Sequence, residues 1–380
     1  MTEITDYLNV ANAYGPALSP TADRLAYLTD RTGTLQVWLA SGPTDRRQLT
    51  TADVPTGFVS WSPTDGELVL GRSPGRSERQ NLFRLHLPSE EVTPLTERPD
   101  AMHRWGGWAP DGDRFAFLTN RRDGSAFDVY VGSLDGTAEC VHRTDSWHDG
   151  AGWAPDGERL LLDVADGSRR RVTPFEDSCH LSSINWGPGG ESVYLVTDHG
   201  ADTRYVARLD LETGQVESVV DGGDWSIEGV TLDTETGRLL YGRNVGGYTE
   251  VTAARLDGET TLTETHRIEM PDSVMGDAAL APGGRHAAVT ATNRTTPPNV
   301  FVVDVETGET QQWTDAGTLP TTAFVEPEAV EYESHDGLTV PGWLSVPEVG
   351  SPPYPAIVDL HGGPADQRRP SLLPTRQYFV

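Results

Sequence analysis

A short segment recurs seven times along this 380-residue chain, and this repetition constrains the fold more than any other feature. The copies read LSPTADRLAYLT, WSPTDGELVLG, WAPDGDRFAFLT, WAPDGERLLLDV, WGPGGESVYLVT, TLDTETGRLLYG and LAPGGRHAAVTA. Most combine an apolar residue, a turn rich in proline, aspartate and glycine, and then an alternating apolar run. Because these turn residues supply the backbone angles of a tight turn, each copy predicts a β-hairpin.

The spacing of the copies predicts a propeller. Successive copies lie 43, 47, 45, 33, 45 and 49 residues apart, counted at Pro20, Pro63, Pro110, Pro155, Pro188, Asp233 and Pro282. Two more strand-like runs follow most hairpins, as in NLFRLHL and LDLETGQVESVV. Four strands in about 45 residues make one blade. The sequence therefore predicts an all-β, seven-bladed β-propeller of WD-like repeats over residues 1–314, with one blade shortened.

The shortened blade is the fourth. Between Asp163 and Val172 the sequence has no apolar run where the other units have their third strand. We therefore expect this blade to be thin, with unpaired backbone groups at its edge. A tolerated loop variation and the loss of part of the gene both explain the shortening. Four tryptophans should occupy equivalent places at the end of a unit's first strand and pack between blades, namely Trp61, Trp108, Trp153 and Trp186.

The charge of the chain is strongly negative. It carries 57 acidic residues against 29 basic ones, all of them arginine, for a net charge of −28. Carboxylates spread over a whole chain keep a protein hydrated and soluble, as in proteins of salt-rich cytoplasm, so the composition predicts a halophilic source. The same charge argues against nucleic acid as a partner, because phosphates would be repelled.

Other sequence signals favour a cytoplasmic protein without cofactors. Cys140 and Cys179 have no second cysteine or histidine at metal-ligand spacing, which leaves a zinc site without support. The sequence begins with MTEITDYLNV, which lacks a signal-peptide pattern, and no apolar run is long enough to span a membrane. We therefore expect no metal, no cofactor and no membrane partner.

The composition changes after Thr314. Residues 315–328 predict a linker, and residues 329–380 predict the incomplete N-terminal part of a second domain. Two short strands joined by a turn at Asp336 and Gly337 are expected first. Ala356 to Leu360 predicts a buried strand that leads into a glycine loop, and the apolar end of the chain is expected to be partly uncovered.

These residues carry a family resemblance. The segments DG…PGWLSVP and YPAIVDLHGGP, placed after propeller repeats, resemble the start of the α/β-hydrolase domain in the prolyl oligopeptidase family of serine peptidases. The acylaminoacyl-peptidase and dipeptidyl-peptidase-like branches are the most similar. The resemblance implies peptide substrates and an oxyanion loop formed by His361, Gly362, Gly363 and Pro364. It makes the backbone N–H of Gly363 the donor to the oxyanion and gives His361 a role in shaping the loop.

The resemblance also implies residues that these 380 do not supply. The family places its Ser, Asp and His after the glycine loop, and 16 residues follow Pro364. We therefore expect no catalytic triad and no activity of the chain alone. A G-x-S-x-G match at Gly71–Gly75 is rejected, because Ser73 precedes Pro74 and a polar loop rather than a helix. Asp149 beside His148 and Asp359 near His361 fit solvated loops better than a triad.

Three interpretations remain open at this point. The chain is a peptidase-family product that hydrolyses short peptides only when intact. Alternatively, it is a binding module whose propeller loops hold a peptide or protein partner. The third possibility is one half of a split peptidase, with a separately encoded catalytic half that supplies the triad.

Overall fold

The fold is set by strands that are too short and too apolar to be stable alone. The computed structural model describes residues 3–64, 66–73, 77, 79–145, 151–162, 179–317, 319, 324–347, 350–363 and 366–380. Six antiparallel four-stranded sheets and a two-stranded sheet follow one another along the chain, and each four-stranded sheet pairs its strands in sequence order. This is the architecture of a β-propeller, and each four-stranded sheet is a blade.

The first three blades come before residue 143. Their strands are β1 (Ala13–Leu18), β2 (Leu25–Thr29), β3 (Gln36–Ala40) and β4 (Arg46–Gln48) in the first blade, β5 (Thr56–Trp61), β6 (Glu67–Arg72), β7 (Asn81–His86) and β8 (Glu91–Pro94) in the second, and β9 (His103–Trp108), β10 (Arg114–Asp123), β11 (Ala126–Ser133) and β12 (Ala138–His142) in the third. The two-stranded sheet comes next, with β13 (Ala151–Trp153) and β14 (Leu160–Leu162).

Three more blades complete the ring. Their strands are β15 (Leu181–Trp186), β16 (Ser192–Thr197), β17 (Tyr205–Asp210) and β18 (Val216–Val220), then β19 (Ile227–Leu232), β20 (Arg238–Val245), β21 (Tyr248–Asp257) and β22 (Thr261–Arg267), then β23 (Val274–Leu280), β24 (His286–Thr292), β25 (Asn299–Asp304) and β26 (Thr310–Gln312). A hairpin of β27 (Glu328–Glu333) and β28 (Thr339–Leu344) follows. The described residues also form two short α-helices, α1 (Ile4–Leu8) and α2 (Pro374–Gln377), and one turn of 3-10 helix at Pro188–Gly190.

The structure thus shows six blades of four strands. The two-stranded sheet β13–β14 stands where the repeats predict the fourth blade. The segment from Asp163 to Val172, where the third strand is expected to be missing, lies outside the described residues. The count of seven blades and the thinness of the fourth therefore stay predictions.

The core consists of apolar clusters, most of which lie between neighbouring sheets. One joins Val69 and Leu82 of the second blade to Phe115 and Phe117 of the third, all of them buried. The ring closes in the same way, because a cluster joins the first blade to the last one through residues such as Tyr27 and Val300. Since each blade face is covered by the next blade, burial of apolar surface requires the whole ring.

The predicted places of the four tryptophans are confirmed. Strands β5, β9, β13 and β15 end at Trp61, Trp108, Trp153 and Trp186. An arginine from the preceding sheet covers several of these rings, as Arg159 does at 5.3 Å from the centroid of Trp186. The indole N–H of Trp186 donates to the carbonyl of Gly152 at 3.1 Å. The tryptophan therefore connects its own blade to the two-stranded sheet.

The turns of the repeats position these arginines. In the turn after Trp153, the carboxylate of Asp156 accepts hydrogen bonds from the backbone N–H of Glu158 and from Nε of Arg159. These bonds hold the pKa of Asp156 below its ordinary value. The guanidinium of Arg159 is thereby held against Trp186, the first residue of the next repeat.

We predict that Trp186→Ala lowers the free energy of unfolding by about 3–5 kcal/mol, because it removes a buried ring and its hydrogen bond to Gly152. Urea unfolding followed by circular dichroism measures this loss. Trp225→Ala is the matched control, since Trp225 is 44% exposed, and it should change the stability by less than about 0.5 kcal/mol. Equal losses for the two variants would contradict the packing role of Trp186.

Candidate functional site

The two faces of the propeller differ in what they carry. We call the face with the turns between second and third strands, such as residues 244–247, the upper face. The opposite, lower face carries the proline turns of the repeats. A recess of 480 Å³ on the lower face is lined by turns or inner strands from several sheets, including Trp61, Trp108 and Trp153. This tryptophan and proline collar forms one mouth of the central channel.

A second recess lies toward the upper face. It has a volume of 440 Å³ and is lined by the inner strands β15, β19 and β23 together with parts of β20, β21 and β24. Three charged residues contribute to its wall, Arg204, Glu228 and Arg369. We call this recess the upper cavity. Arg369 comes from the segment after the propeller, so that segment forms part of the cavity wall.

Arg369 joins the propeller to the segment that follows it, residues 315–380, which we call the later segment. Its Nη1 lies 2.9 and 2.7 Å from the two carboxylate oxygens of Glu228, and Nη2 donates to the hydroxyl of Thr249 at 2.8 Å. Its Nε donates to the carbonyl of Gly247 at 2.8 Å. Both side chains of the ion pair are mostly buried, which makes such charge-assisted bonds stronger than surface pairs. The upper face of blade β19–β22 therefore holds the later segment at this point.

The hairpin β27–β28 also contacts the propeller, through Arg294. Arg294, which follows β24, lies 5.6 Å from the ring centroid of Trp343 and 6.0 Å from that of Tyr248. Its guanidinium also donates to the carbonyl of Pro327 at 3.2 Å and pairs with Glu326 at 2.7 Å. One arginine thus joins the last two blades to the start of the later segment through cation–π contacts and hydrogen bonds.

The two ends of the chain meet in a small apolar cluster. Val10, Phe324 and Leu372 are buried together, and Tyr7 of α1 packs on Phe324 at 6.2 Å between ring centroids. The side-chain amide of Gln377 donates to the carbonyl of Val325 at 2.9 Å and accepts from its N–H at 2.8 Å. This cluster fixes α2 and the residues before it against the body of the protein.

The predicted glycine loop is exposed in this structure. His361, Gly362 and Gly363 all lie on the surface, and Pro364 falls outside the described residues. The Nδ1 atom of His361 lies 3.3 Å from the carbonyl oxygen of Gly362, and Gly363 has a φ of +72°, a conformation that favours glycine. These residues stand together, and no serine with a neighbouring base lies against them in the described part of the chain.

The prediction of a buried strand at Ala356 to Leu360 is wrong for this structure. The segment is not paired with any described strand, and Ile357, Val358 and Leu360 are 71–79% exposed. A strand needs neighbours on which to form its backbone hydrogen bonds, and none of the described strands lies beside this one. The predicted hairpin with its turn at Asp336 and Gly337 is confirmed, and so is the exposure of Tyr378 and Phe379.

The rejected serine motif has the geometry of a strand end. Ser73 directly follows β6, and the next described element is the strand β7. Asp359 pairs with Arg368 at 2.6 Å and with Arg376 at 3.3 Å, so its carboxylate serves ion pairs near the chain end. His148 and Asp149 lie outside the described residues.

Among the described histidines, His103 is the one most removed from water. It is 1% exposed at the start of β9, its Nδ1–H donates to the carbonyl of Gln80 at 3.0 Å, and its ring packs on Phe117. Burial lowers the pKa of this imidazole to about 4. His103 is therefore neutral at pH 7 and acts as a buried structural group.

Sequence reasoning missed the residues that build the upper cavity. Glu228 and Arg369 are 141 positions apart, and neither stands in a motif. The only local signal is that Arg369 belongs to a polar run close to the glycine loop. Within the described ranges, no group of three metal-ligating side chains is found, and no helix is long and apolar enough to cross a membrane.

Comparisons with known proteins connect this architecture to solved structures. No protein-family model and no curated protein matches the sequence. A structure from a study of two prolyl endopeptidases aligns over 89% of this chain and 53% of its own, with a TM-score of 0.66 and 18% identity. Prolyl oligopeptidase B from Galerina marginata, without ligand, covers 89% of this chain and 56% of its own, with a TM-score of 0.65 and 16% identity.

A crystal structure of puromycin hydrolase aligns over the whole of this chain and 66% of its own, with a TM-score of 0.74 and 16% identity. The chain spans about half the length of the prolyl oligopeptidases that it matches. At identities this low the alignments report the fold alone. The chain therefore has the fold of these structures over the aligned residues.

We predict that stability falls between pH 6.5 and pH 4 in a way that depends on His103. Its pKa is lower in the folded protein than in the unfolded chain, so the unfolded chain binds more protons in this interval. The titration of His103 alone should lower the free energy of unfolding by roughly 3 kcal/mol at pH 4 relative to pH 7. Urea unfolding at several pH values, for the original protein and for His103→Asn, measures the difference between the two curves.

His335→Gln serves as the control, because His335 is exposed. The free energy of unfolding of His335→Gln should follow that of the original protein over the same pH interval, because His103 is unchanged in this variant. Parallel curves for His103→Asn and the original protein would show that His103 does not titrate in this interval.

Proposed function

We propose that this chain is the propeller and the first hydrolase residues of a serine peptidase of the prolyl oligopeptidase family, acting on short peptides. The propeller has seven blades, with β13–β14 as the inner half of the fourth. Residues 315–328 are the linker, and residues 329–380 are the opening part of an α/β-hydrolase domain. The acylaminoacyl-peptidase and dipeptidyl-peptidase-like branches are the most similar.

The docking of the later segment on the upper face is the observation that carries this proposal. Arg369 and Arg294 fasten residues from beyond the propeller beside the upper cavity. A hydrolase domain continued from this segment would cover the same face, and its active site would open toward the cavity. The alignment with puromycin hydrolase, which includes the whole chain, supports this arrangement.

The chemistry of such an enzyme is an acyl transfer. A serine hydroxyl attacks the peptide carbonyl while a histidine accepts its proton, the amine leaves with that proton, and water then releases the acid from the acyl-enzyme. Negative charge develops on the carbonyl oxygen during both attacks. The N–H of Gly363 is our candidate for one donor to this oxyanion, and His361 would shape the loop that presents it.

The propeller would act as a filter. Its lower mouth is narrowed by the collar of Trp61, Trp108 and Trp153, and its blades close into a ring through apolar packing. Folded proteins are too wide for such a channel, whereas short or extended peptides can reach the upper cavity. This geometry supports short peptides as the proposed substrate class.

The exposed segment Ala356 to Leu360 fits the same proposal. Its apolar side chains and unpaired backbone are what the first strand of a hydrolase sheet presents before its neighbours are in place. We infer that additional strands pair with it in the active enzyme. The supplier would be a hydrolase region of the same polypeptide or, in the split alternative, a separately encoded catalytic half.

A binding module remains the second candidate function. It is favoured by one observation, since the upper cavity is formed largely by propeller strands and needs no triad to hold a ligand. A pure binding module would bind peptides but never form an acyl-enzyme. This difference makes the two functions separable by experiment.

We predict that the 380-residue polypeptide is not labelled by a serine-reactive fluorophosphonate and does not cleave aminoacyl anilides in molar salt. When it is joined to the hydrolase region of a structural neighbour, labelling and turnover should appear, because nucleophile, base and second oxyanion donor are then present. Labelling of the 380 residues at Ser73, lost in Ser73→Ala, would show that the rejected motif is the nucleophile. A correctly folded chimera without turnover would contradict the peptidase proposal.

The same chimera tests the role of the glycine loop. Replacing the Gly363 amide N–H by an ester oxygen removes the donor while keeping the φ of +72°, which proline could not adopt, and it should lower kcat by roughly 10²–10³. Gly362→Ala is the control, because a Cβ at position 362 meets no atom within 4 Å. Similar kcat values for the two variants would leave the peptidase proposal standing and would refute the assignment of Gly363.

A further inference from the structure

The upper cavity contains a cation without a partner. Among the described residues, no carboxylate forms an ion pair with the guanidinium of Arg204, and no hydrogen bond of that guanidinium is found. By contrast, Glu228 on the same wall is already neutralised, because both of its oxygens lie within 2.9 Å of Arg369 and one also accepts from Asn244. In a chain with a net charge of −28, a free arginine inside a recess is a site prepared for an anion.

Another part of the cavity wall has a strained backbone. Ser183 lines the cavity with a φ of +49°, a left-handed conformation that is rare for residues other than glycine. It lies in a bulge of β15 between Ser182 and Asn185. The side chain of Asn185 holds this bulge, since its amide donates to the carbonyls of Ser183 and Val230 at 2.6 and 3.0 Å. Strain of this kind persists where the surroundings enforce it, and it is concentrated at binding sites.

The remaining wall suits a polypeptide. Strands β15, β19 and β23 are the inner edges of their blades, so alternate backbone N–H and C=O groups face the channel without a strand partner. Gly229 of β19 and Gly276 of β23 expose this backbone, while Val230 and Met275 provide apolar surface. Edge strands hydrogen-bond extended peptides, and apolar surface beside them accepts side chains. A volume of 440 Å³ lies within the range of small-ligand sites.

We propose that the upper cavity binds the C-terminal carboxylate of a short peptide, with Arg204 as the residue that pairs with it. The peptide backbone lies along the exposed strand edges, and its last side chain contacts the apolar part of the wall. A planar guanidinium matches a carboxylate with two parallel hydrogen bonds, which is why the ligand is a carboxylate rather than a neutral group. The carboxylate site itself does not depend on the proposed function. Only the statement that the bound peptide is a substrate rests on it.

The site also determines which peptides are selected. A half-buried cation beside a neutralised glutamate favours a free C-terminus over an amidated one or one that continues into a longer chain. Short peptides with a free acid end would therefore be held with that end in the propeller. The rest of the peptide would extend upward, toward the face on which the segment after the propeller docks.

Binding of defined peptides to the 380-residue protein tests the proposal without any need for hydrolysis. Titration calorimetry would compare N-acetyl-Ala-Ala-Phe with a free carboxylate and the same peptide as its C-terminal amide. We expect the acid to bind roughly 10- to 100-fold more tightly than the amide, as for a lost charge-assisted hydrogen-bonded pair. In Arg204→Gln this preference should disappear, and Arg204→Lys should restore part of it.

Two further variants keep the test decisive. Arg267→Gln is the control for loss of a positive charge. Arg267 lies on the outermost strand β22, and its side chain is 61% exposed. This variant should keep the preference for the acid over the amide. Gly276→Val narrows the cavity without removing charge, since a Cβ at position 276 meets only Thr290 at ordinary contact distances. This variant should weaken the binding of the acid and of the amide by the same factor.

The outcomes separate cleanly. Equal binding of acid and amide by the original protein, binding of inorganic phosphate but of no peptide, or no binding at all would overturn the proposal. An unchanged preference for the acid in a folded Arg204→Gln protein would also overturn it. If peptides bind as expected but the chimera described above does not hydrolyse them, the peptidase proposal fails while the carboxylate site stands.

Discussion

The packing between the first and last blades is the contact on which the rest of the structure depends. Strands β1–β4 and β23–β26 form complete blades of their own, so no shared strand closes the ring. Closure rests on an apolar cluster that joins Tyr27 to Val300 and on a hydrogen bond from the N–H of Ala13 to the carbonyl of Pro298 at 2.9 Å. The channel and both of its recesses exist only while this seam is closed, because inner strands from several sheets line them.

The segment after the propeller is attached next to this seam. Arg294 belongs to the last blade and holds the hairpin β27–β28, while Arg369 reaches blade β19–β22. Near the chain end, α2 contacts α1, and Leu372 just before α2 packs with Phe324 in one apolar cluster. A domain continued from these residues would be held over the last blades, and opening of the seam would disturb both the cavity and its cover.

Local patterns made most of the fold predictable from the sequence. The repeat places a turn and an apolar strand in each unit, and the tryptophans of four units lie where the repeats predict them. The strand at Ala356 to Leu360 is wrong here because strand formation depends on neighbours that the pattern itself does not specify. The pair Glu228–Arg369 and the unpartnered Arg204 could not be predicted, since they arise when distant segments meet over a curved surface.

The central claim is that residues beyond the propeller are built onto its upper face through Glu228 and Arg369. A double-mutant cycle with Glu228→Gln and Arg369→Gln tests it directly, with the opening free energy of residues 371–379 measured by amide hydrogen exchange. The account predicts that either substitution alone lowers the opening free energy of this segment. The second substitution should lower it little further, which corresponds to a coupling energy of about 1–3 kcal/mol. Purely additive effects, or exchange that neither change accelerates, would contradict it.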